Sequence, residues 1–344
     1  MKKLFFAALA ATAIFASCSK NEPVTNNSAM TGDSPQAVIT LTTEDASSRA
    51  FFDNTATAEA WEKEVNSLNV YVFDQSGNFI LRRDFTSGEL TAKTATLPLP
   101  NSAAGTQCDF YVVANANYGT IASKAAMTNA IESATLADYN GTTAVVMAQA
   151  ARTGGFVMNG SKSVTVAAQG STTNVAVTIK RVVAKVAVRT TIDPIVATKY
   201  GGGTVFITSA ELTKASALSY SFATPGQYQS RSSLYTYEQP GKTTGANKDN
   251  LFYCYETDEL TAGARTTITL KGVFDADANA GTTHDQIAVS YNVELDGAGN
   301  GKIVRNGYYR VNANITGLSG DGVIVNFTVA EWETPATQTI NLGS

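Results

Sequence analysis

Along most of this chain apolar and polar residues alternate with a period of two, the spacing that brings side chains of an extended strand to one face. The first such stretch is Gln36 to Thr43, where Ala37, Ile39, Leu41 and Thr43 share one face and Val38, Thr40 and Thr42 the other. Val, Ile and Thr, branched at Cβ, fit a pleated surface, so the stretch reads as a strand. Glu44 to Ser48 then offers nothing a core would take, and a single Arg49–Ala50 step follows. From Asn66 to Asp74, Leu68, Val70 and Val72 alternate with Asn69, Tyr71 and Phe73. Gln75 to Asn78 is a turn and Phe79 to Phe85 returns, which makes a hairpin. Ala95 to Leu99 is a short strand ended by Pro98 and Pro100, which suits a sheet edge.

Cys108 to Ala116 is the most apolar strand of the first half, and Val145–Ala148 and Ser163–Ala168 add two more. Between them the period changes. Ser123 to Leu136 is Ala-rich and lacks Gly and Pro, with Met127, Ile131 and Ala134 at i, i+4 and i+7. That pattern predicts one short helix covering an open end of the sandwich. Asn174 to Thr191 is a long alternating run in which Val175, Val177 and Ile179 share a face. After Lys180-Arg181 the alternation continues on the other parity through Val182, Ala184, Val186 and Val188. A change of parity marks a bulge or a strand passing between domains, and the boundary is placed here.

In the second half Thr204–Leu212, Leu251–Glu256, Thr266–Phe274, Ile287–Leu295, Gly307–Ile315 and Val323–Trp332 read as strands, with Ala223–Asn250 as a long loop. Each half then holds a seven- or eight-stranded sandwich. The expected fold class is all-β with a short helix: two tandem antiparallel β-sandwich domains.

Composition agrees with this and narrows the partners. A length of 344 residues suits two domains, and 16% charge with 27 Gly fits an extracellular β-protein that solvates its faces with hydroxyls and amides. The net charge is −4. No basic patch is available to neutralise phosphates, which excludes a nucleic-acid partner.

Lys2 and Lys3 precede an apolar run, Leu4 to Ala16, too short to span a bilayer, so residues 1–17 read as a signal peptide. The sequence Phe15-Ala16-Ser17-Cys18 resembles a bacterial lipobox, in which Cys18 becomes the lipid-bearing first residue. An ordinary signal peptide followed by a chance Cys is the competing reading. Ser19 to Ser34 is a polar tether. Cys108 and Cys254 lie in apolar runs far apart, which suits two buried thiols rather than a disulfide framework.

Little else carries chemistry. His284 is the one His, and no His/Cys cluster has metal spacing. No phosphate loop or dinucleotide fingerprint is present. Asp275, Asp277 and Asn279 superficially suggest a calcium loop, but Ala280 stands where the loop Gly belongs and Gln286 where the closing Glu belongs. With no catalytic constellation the chain is read as a non-enzyme without a cofactor.

Three segments carry a family likeness: KRVVAKVAV (180–188), FYCYETDE (252–259) and VRNGYYRVNANITGL (304–318), the last followed by VNFTVAEW (325–332). With the lipobox Cys18 and the Arg49–Ala50 step, the chain resembles the fimbrillins, type V pilus subunits of Bacteroidales. The resemblance implies two transthyretin-like sandwich domains, here 50–182 and 183–344, behind a lipidated leader, 18–49, with a removable strand at 36–44. It further implies a precursor held at the outer membrane by its lipid and cut after Arg49 by an extracellular Arg-specific protease. The freed subunit would then join other copies, with anchor and tip subunits, in an adhesive fimbrium that meets host surface ligands. The alternatives are an accessory or tip subunit of such a filament, and a surface lipoprotein that binds glycans through the aromatic loop Tyr220 to Tyr237.

A donor strand should resemble the strand it replaces. Thr339-Ile340-Asn341-Leu342 has the spacing of Val38-Ile39-Thr40-Leu41, so residues 336–343 are the candidate donor, with Ile340 and Leu342 for the pockets of Ile39 and Leu41. Coincidence is the bland alternative, since an Ile-x-Leu pair is common in β-proteins. The donor reading requires Ile39 and Leu41 buried and Glu44 to Arg49 exposed.

Overall fold

A computed structural model describes residues 24–25, 34–42, 60–132, 134–141, 154–222, 227–229, 231–296, 302–318, 323–331 and 340–342. The strands of the first half are β1 (Val24–Thr25), β2 (Gln36–Thr42), β3 (Leu68–Asp74), β4 (Phe79–Asp84), β5 (Thr94–Pro98), β6 (Gln107–Ala114), β7 (Met158–Thr165), β8 (Thr172–Thr178) and β9 (Lys180–Arg181). They make a six-stranded sheet, β1-β4-β3-β6-β7-β9, and a three-stranded sheet, β5-β2-β8. The second half contributes β10 (Val183–Ile192), β11 (Thr204–Ser216), β12 (Leu234–Pro240), β13 (Lys242–Thr244), β14 (Asn247–Tyr255), β15 (Thr267–Asp275), β16 (Gln286–Glu294), β17 (Gly307–Ile315), β18 (Val323–Glu331) and β19 (Ile340–Leu342). Its sheets are β13-β14-β10-β17-β18-β19 and β12-β11-β15-β16. The molecule is thus all-β, two sandwiches in tandem.

The halves repeat one arrangement. β2 lies antiparallel to β5 and parallel to β8, and β10 lies antiparallel to β14 and parallel to β17. In each half an early strand is therefore interior and closes the sheet against a late strand. Pairings other than β2/β8 and β10/β17 are antiparallel among the described residues.

Two apolar clusters follow from the strand periodicity. Ala37, Ile39 and Leu41 of β2 join Val70 and Val72 of β3, Phe110 and Val112 of β6, and Val175 and Val177 of β8 inside the first sandwich. The other parity of the same central strands, Tyr71, Phe73, Tyr111 and Val113, joins the cluster that fills the second half. The six-stranded sheet is covered on both faces, which is why β3 and β6 read as apolar on both parities.

Where β7 crosses β8 the two sheets approach closely. A Cβ on Gly160 would lie 2.1 Å from the Thr178 carbonyl oxygen and 3.0 Å from Val177 Cγ1. Gly160→Ala should therefore cost about 1–3 kcal/mol of overpacking, read as a lower midpoint in chemical denaturation.

Several local expectations are corrected. The single helix over Ser123–Leu136 is two short ones, α2 (Lys124–Thr128) and α3 (Leu136–Asn140), which follow α1 (Ser87–Ala92) and precede α4 (Ile195–Lys199). The Ser123 side chain caps α2 by accepting from the Ala126 N–H (3.1 Å). The chain then runs extended: the Ala130 carbonyl accepts from Ser221 N–H (2.7 Å) and Glu132 N–H donates to the Ser219 carbonyl (2.9 Å). Backbone pairing across the molecule outbids helix propensity there, and Ile131 is left 39% exposed. The loop expected over Ala223–Asn250 contains β12, β13 and the start of β14. Its strand signal was hidden because an amide fills the core: Gln239 is buried, donating to the Leu251 carbonyl (2.8 Å) and accepting from its N–H (3.2 Å). The strand expected at Ser163–Ala168 begins earlier, at Met158. The run Asn174–Thr191 is three strands in three different sheets, β8, β9 and β10, with the parity change falling where the chain leaves one sheet for the next. Val145–Ala148 lies outside the described residues.

Candidate functional site

The site is the slot that β2 fills. β2 pairs with β5 from Gln36↔Pro98 to Thr40↔Thr94 and with β8 from Gln36↔Thr172 to Thr42↔Thr178. The antiparallel ladder runs on past the strand at both ends, with Leu99 N–H donating to the Pro35 carbonyl (2.9 Å) and Leu41 N–H to the Lys93 carbonyl (2.9 Å). Thr94 Oγ1 also donates to the Ile39 carbonyl (3.0 Å). Ile39 is fully buried and Leu41 is 6% exposed, both facing the first core. The outer side of β5 is occupied as well, since Arg83 Nη1 donates to the Thr96 carbonyl (2.9 Å) while Nη2 pairs with Glu89 (2.6 Å). Loss of β2 would therefore open two inner sheet edges, on β5 and β8, above an uncovered apolar floor.

β2 ends at Thr42 and the described chain resumes at Ala60. Arg49, Ala50, the segment Glu44–Ser48 and Cys18 lie outside the described residues. The covalent link between β2 and the remainder of the fold runs through the Arg49–Ala50 step.

Where the described chain resumes, it is firmly packed. Trp61 packs edge-on to Phe156 and Tyr253, with ring centroids 5.6 and 6.0 Å away. The Glu62 carboxylate is fully buried against Lys185 Nζ (2.9 Å) and accepts from the Tyr253 hydroxyl (2.6 Å). Arg181 Nε donates to the Glu62 carbonyl (2.8 Å) and its Nη1 to Asn306 Oδ1 (3.1 Å). Lys185 stands opposite both Tyr253 and Tyr308 across the sheet, with its ammonium 5.3 Å from the Tyr308 ring centroid. Nearby, Arg305 Nε donates to Glu256 Oε2 (2.7 Å) and Nη2 to the Tyr220 carbonyl (2.8 Å). The three segments that carry the family likeness supply Arg181 and Lys185, Tyr253 and Glu256, and Arg305, Asn306 and Tyr308. They converge on one buried junction between the two sandwiches. Periodicity marked Lys180-Arg181 only as a break in parity, and no signal in the sequence singled out Glu62 as their partner.

Among the described residues the C-terminal strand β19 sits at the outer edge of its sheet and pairs with β18, Phe327↔Ile340 to Val325↔Leu342. The aromatic loop proposed for glycans does structural work where it is described. Phe222 is buried edge-on to Tyr111 (4.9 Å), and Tyr237 is buried edge-on to Phe252 (6.4 Å). Cys108 and Cys254 are buried free thiols, and burial pushes Cys254 up to about 12. Asp275, Asp277 and Asp285 bring carboxylate oxygens within 4.8 Å of one another. Asp275 is engaged by Asn279 N–H (3.0 Å) and Gln286 Nε2 (2.8 Å), and Asp277 by Thr282 Oγ1 (3.0 Å).

Residues 31–336 match the family described as fimbrillin-A associated anchor proteins Mfa1 and Mfa2. No curated protein matches the chain. Among solved structures the fold is similar to that of a candidate cell adhesion protein from Bacteroides eggerthii, with a TM-score of 0.62 and 17% identity, covering 89% of this chain and 98% of that one. It is similar to a fimbrilin from Porphyromonas gingivalis, with a TM-score of 0.59 and 17% identity over 88% and 99% of the two chains. The C-terminally truncated tip fimbrial protein Mfa3 of the same organism gives 0.50 and 17% over 87% and 100%. At these identities the likeness is one of fold.

Proposed function

The chain belongs to the family of fimbrillin-A associated anchor proteins Mfa1 and Mfa2, and from that premise we propose that it is a structural subunit of an adhesive fimbrium, exported as a lipoprotein and assembled by strand exchange. Cys18 carries the lipid that holds the precursor at the outer membrane. An Arg-specific extracellular protease cuts between Arg49 and Ala50, and the domains 50–182 and 183–344 remain. The slot vacated by β2 then takes residues 336–343 of another copy, with Ile340 and Leu342 in the pockets of Ile39 and Leu41. Further partners are the anchor and tip subunits of the filament.

One observation carries this reading: an interior strand of the first sandwich is supplied by a segment that a single cut at Arg49 would sever from the fold. The edge position of β19 supports it. That strand spans three residues and has one neighbour, whereas β2 spans seven and has two, so the donor is the easier strand to detach.

The test is to treat purified precursor with an Arg-specific protease. The expected product begins at Ala50 by N-terminal sequencing, runs as SDS-resistant ladders and forms long homopolymers by electron microscopy. Arg49→Ala should stay intact and monomeric. A parent protein that remains intact and monomeric under the same treatment contradicts the proposal.

A further inference from the structure

The inward row of β8 is not uniform. Val175 and Val177 are apolar and buried, but its first member, Thr173, is a buried polar residue, 7% exposed. It stands directly opposite Ala37, at the end of the slot where β2 begins. The described strand partners of Ala37, Ile39 and Leu41 are Leu97 and Ala95 on β5 and Thr173, Val175 and Val177 on β8. Thr173 is the polar one among these five. Its hydroxyl accepts from the Ala167 N–H (2.8 Å). A hydroxyl also has a proton to give and a second lone pair, and the methyl of Ala37 can use neither.

The tail read as the donor breaks its own apolar row at the same step. With Ile340 in the place of Ile39 and Leu342 in that of Leu41, the next inward residue is Gln338, in the place of Ala37. The two rows then match member by member: Thr173 with Gln338, Val175 with Ile340 and Val177 with Leu342. The leader matches only the last two.

We propose that Thr173 selects the incoming strand by hydrogen-bonding the side-chain amide of Gln338 from a second copy; this rests on the strand-exchange reading, with the tail running in the sense of β2. Room for the longer side chain comes from its neighbour. Pro35 is buried on the parity of Ala37, and its carbonyl accepts from Leu99 N–H (2.9 Å). In the same register Ala336 takes the place of Pro35. The volume lost at that inward position is regained at the next, where Gln338 replaces Ala37, and a core accepts an exchange that keeps its total volume. The hydroxyl narrows the choice of strand. An Ile-x-Leu pair fits two apolar pockets in many sequences, whereas a site that bonds an amide discriminates against a strand without one. The leader leaves this bond unmade, so the same residue favours the tail over the strand it replaces.

The experiment adds synthetic peptides to the full-length chain during Arg-specific cleavage and measures the concentration that halves ladder formation. The probes are peptide 335–344 and the same peptide with Gln338→Met, which keeps the side-chain length and loses the amide. The expected result is a half-inhibition concentration about 10-fold higher for the substituted peptide. In a chain carrying Thr173→Val the two peptides should inhibit equally, and in Thr173→Ser, which keeps the hydroxyl, the gap should return. Loss of the Ala167 bond in Thr173→Val acts on both peptides alike, so their ratio isolates the amide contact. Equal inhibition in the parent chain overturns selection by Thr173 while leaving strand exchange intact, and so does an undiminished gap in Thr173→Val. If neither peptide inhibits, strand exchange through this tail fails, and the selection fails with it.

Discussion

A chain lacking residues 337–344 should be cut after Arg49 like its parent and then remain monomeric, where the parent builds SDS-resistant ladders. Once the leader leaves, the edges of β5 and β8 lose the partner that satisfied them. Each polar group left buried and unpaired costs about 1–3 kcal/mol. The apolar faces that Ile39 and Leu41 covered lose about 1.5–3 kcal/mol each. These terms together exceed the edge pairing that holds β19 on β18, a strand of three residues with one neighbour. An extended segment recovers both terms at once, which a globular surface cannot do. Because slot and donor are different surfaces of the subunit, the contact is heterologous and grows an open filament rather than a closed dimer. The truncated chain keeps the slot and lacks the donor. Added to full-length chain before cleavage, it should shorten filaments by capping one end. Ladders from the truncated chain alone would sink the donor assignment.

Period-two alternation revealed most of the strands and the division of labour along β2, because β2 faces a core on one side only. It was weakest where a strand is covered on both faces or carries polar groups inward. β12 went unseen for that reason, as Gln239 replaces the apolar residue the pattern needs. The helix over Ser123–Leu136 was misread because its middle is claimed by backbone partners at Ser219 and Ser221, about ninety positions away in sequence. The slot itself was half legible. Gln36–Thr42 announces a strand, but nothing local says that it lies between β5 and β8 rather than at an edge. The parallel pairing with β8 spans more than 130 residues of sequence, and such a contact leaves no local mark. The junction was legible as motifs without meaning: Arg181, Lys185, Tyr253, Glu256, Arg305 and Asn306 stood out as a family likeness. Their common purpose appears only when Glu62 and Ser219 are brought between them.

Breaking that junction at one partner should be far more damaging than removing both. Lys185 and Glu62 are 1% and 0% exposed at the side chain and 2.9 Å apart. Taking both out of water is costly, and the attraction recovers that cost only while the pair is intact. Lys185→Met removes the ammonium paired with the Glu62 carboxylate while that carboxylate stays buried beside the Tyr253 hydroxyl, and should destabilise by about 3–5 kcal/mol, seen as a lower urea midpoint. Glu62→Met with Lys185→Met replaces the pair by two apolar side chains of similar length and should return close to the parent. The functional consequence is local. Glu62 is followed by Lys63, and the Ala60–Glu62 turn is the first described element beyond the processing step. In the parent, trypsin should cut after Arg49 and spare Lys63, giving a product that begins at Ala50. In Lys185→Met the turn loses its hold and the product should begin at Glu64. Protection of Lys63 in the single variant would mean that Trp61 and the Arg181 bond hold the turn without the ion pair. The pair would then serve to join the two sandwiches, not to fix the start of the mature chain.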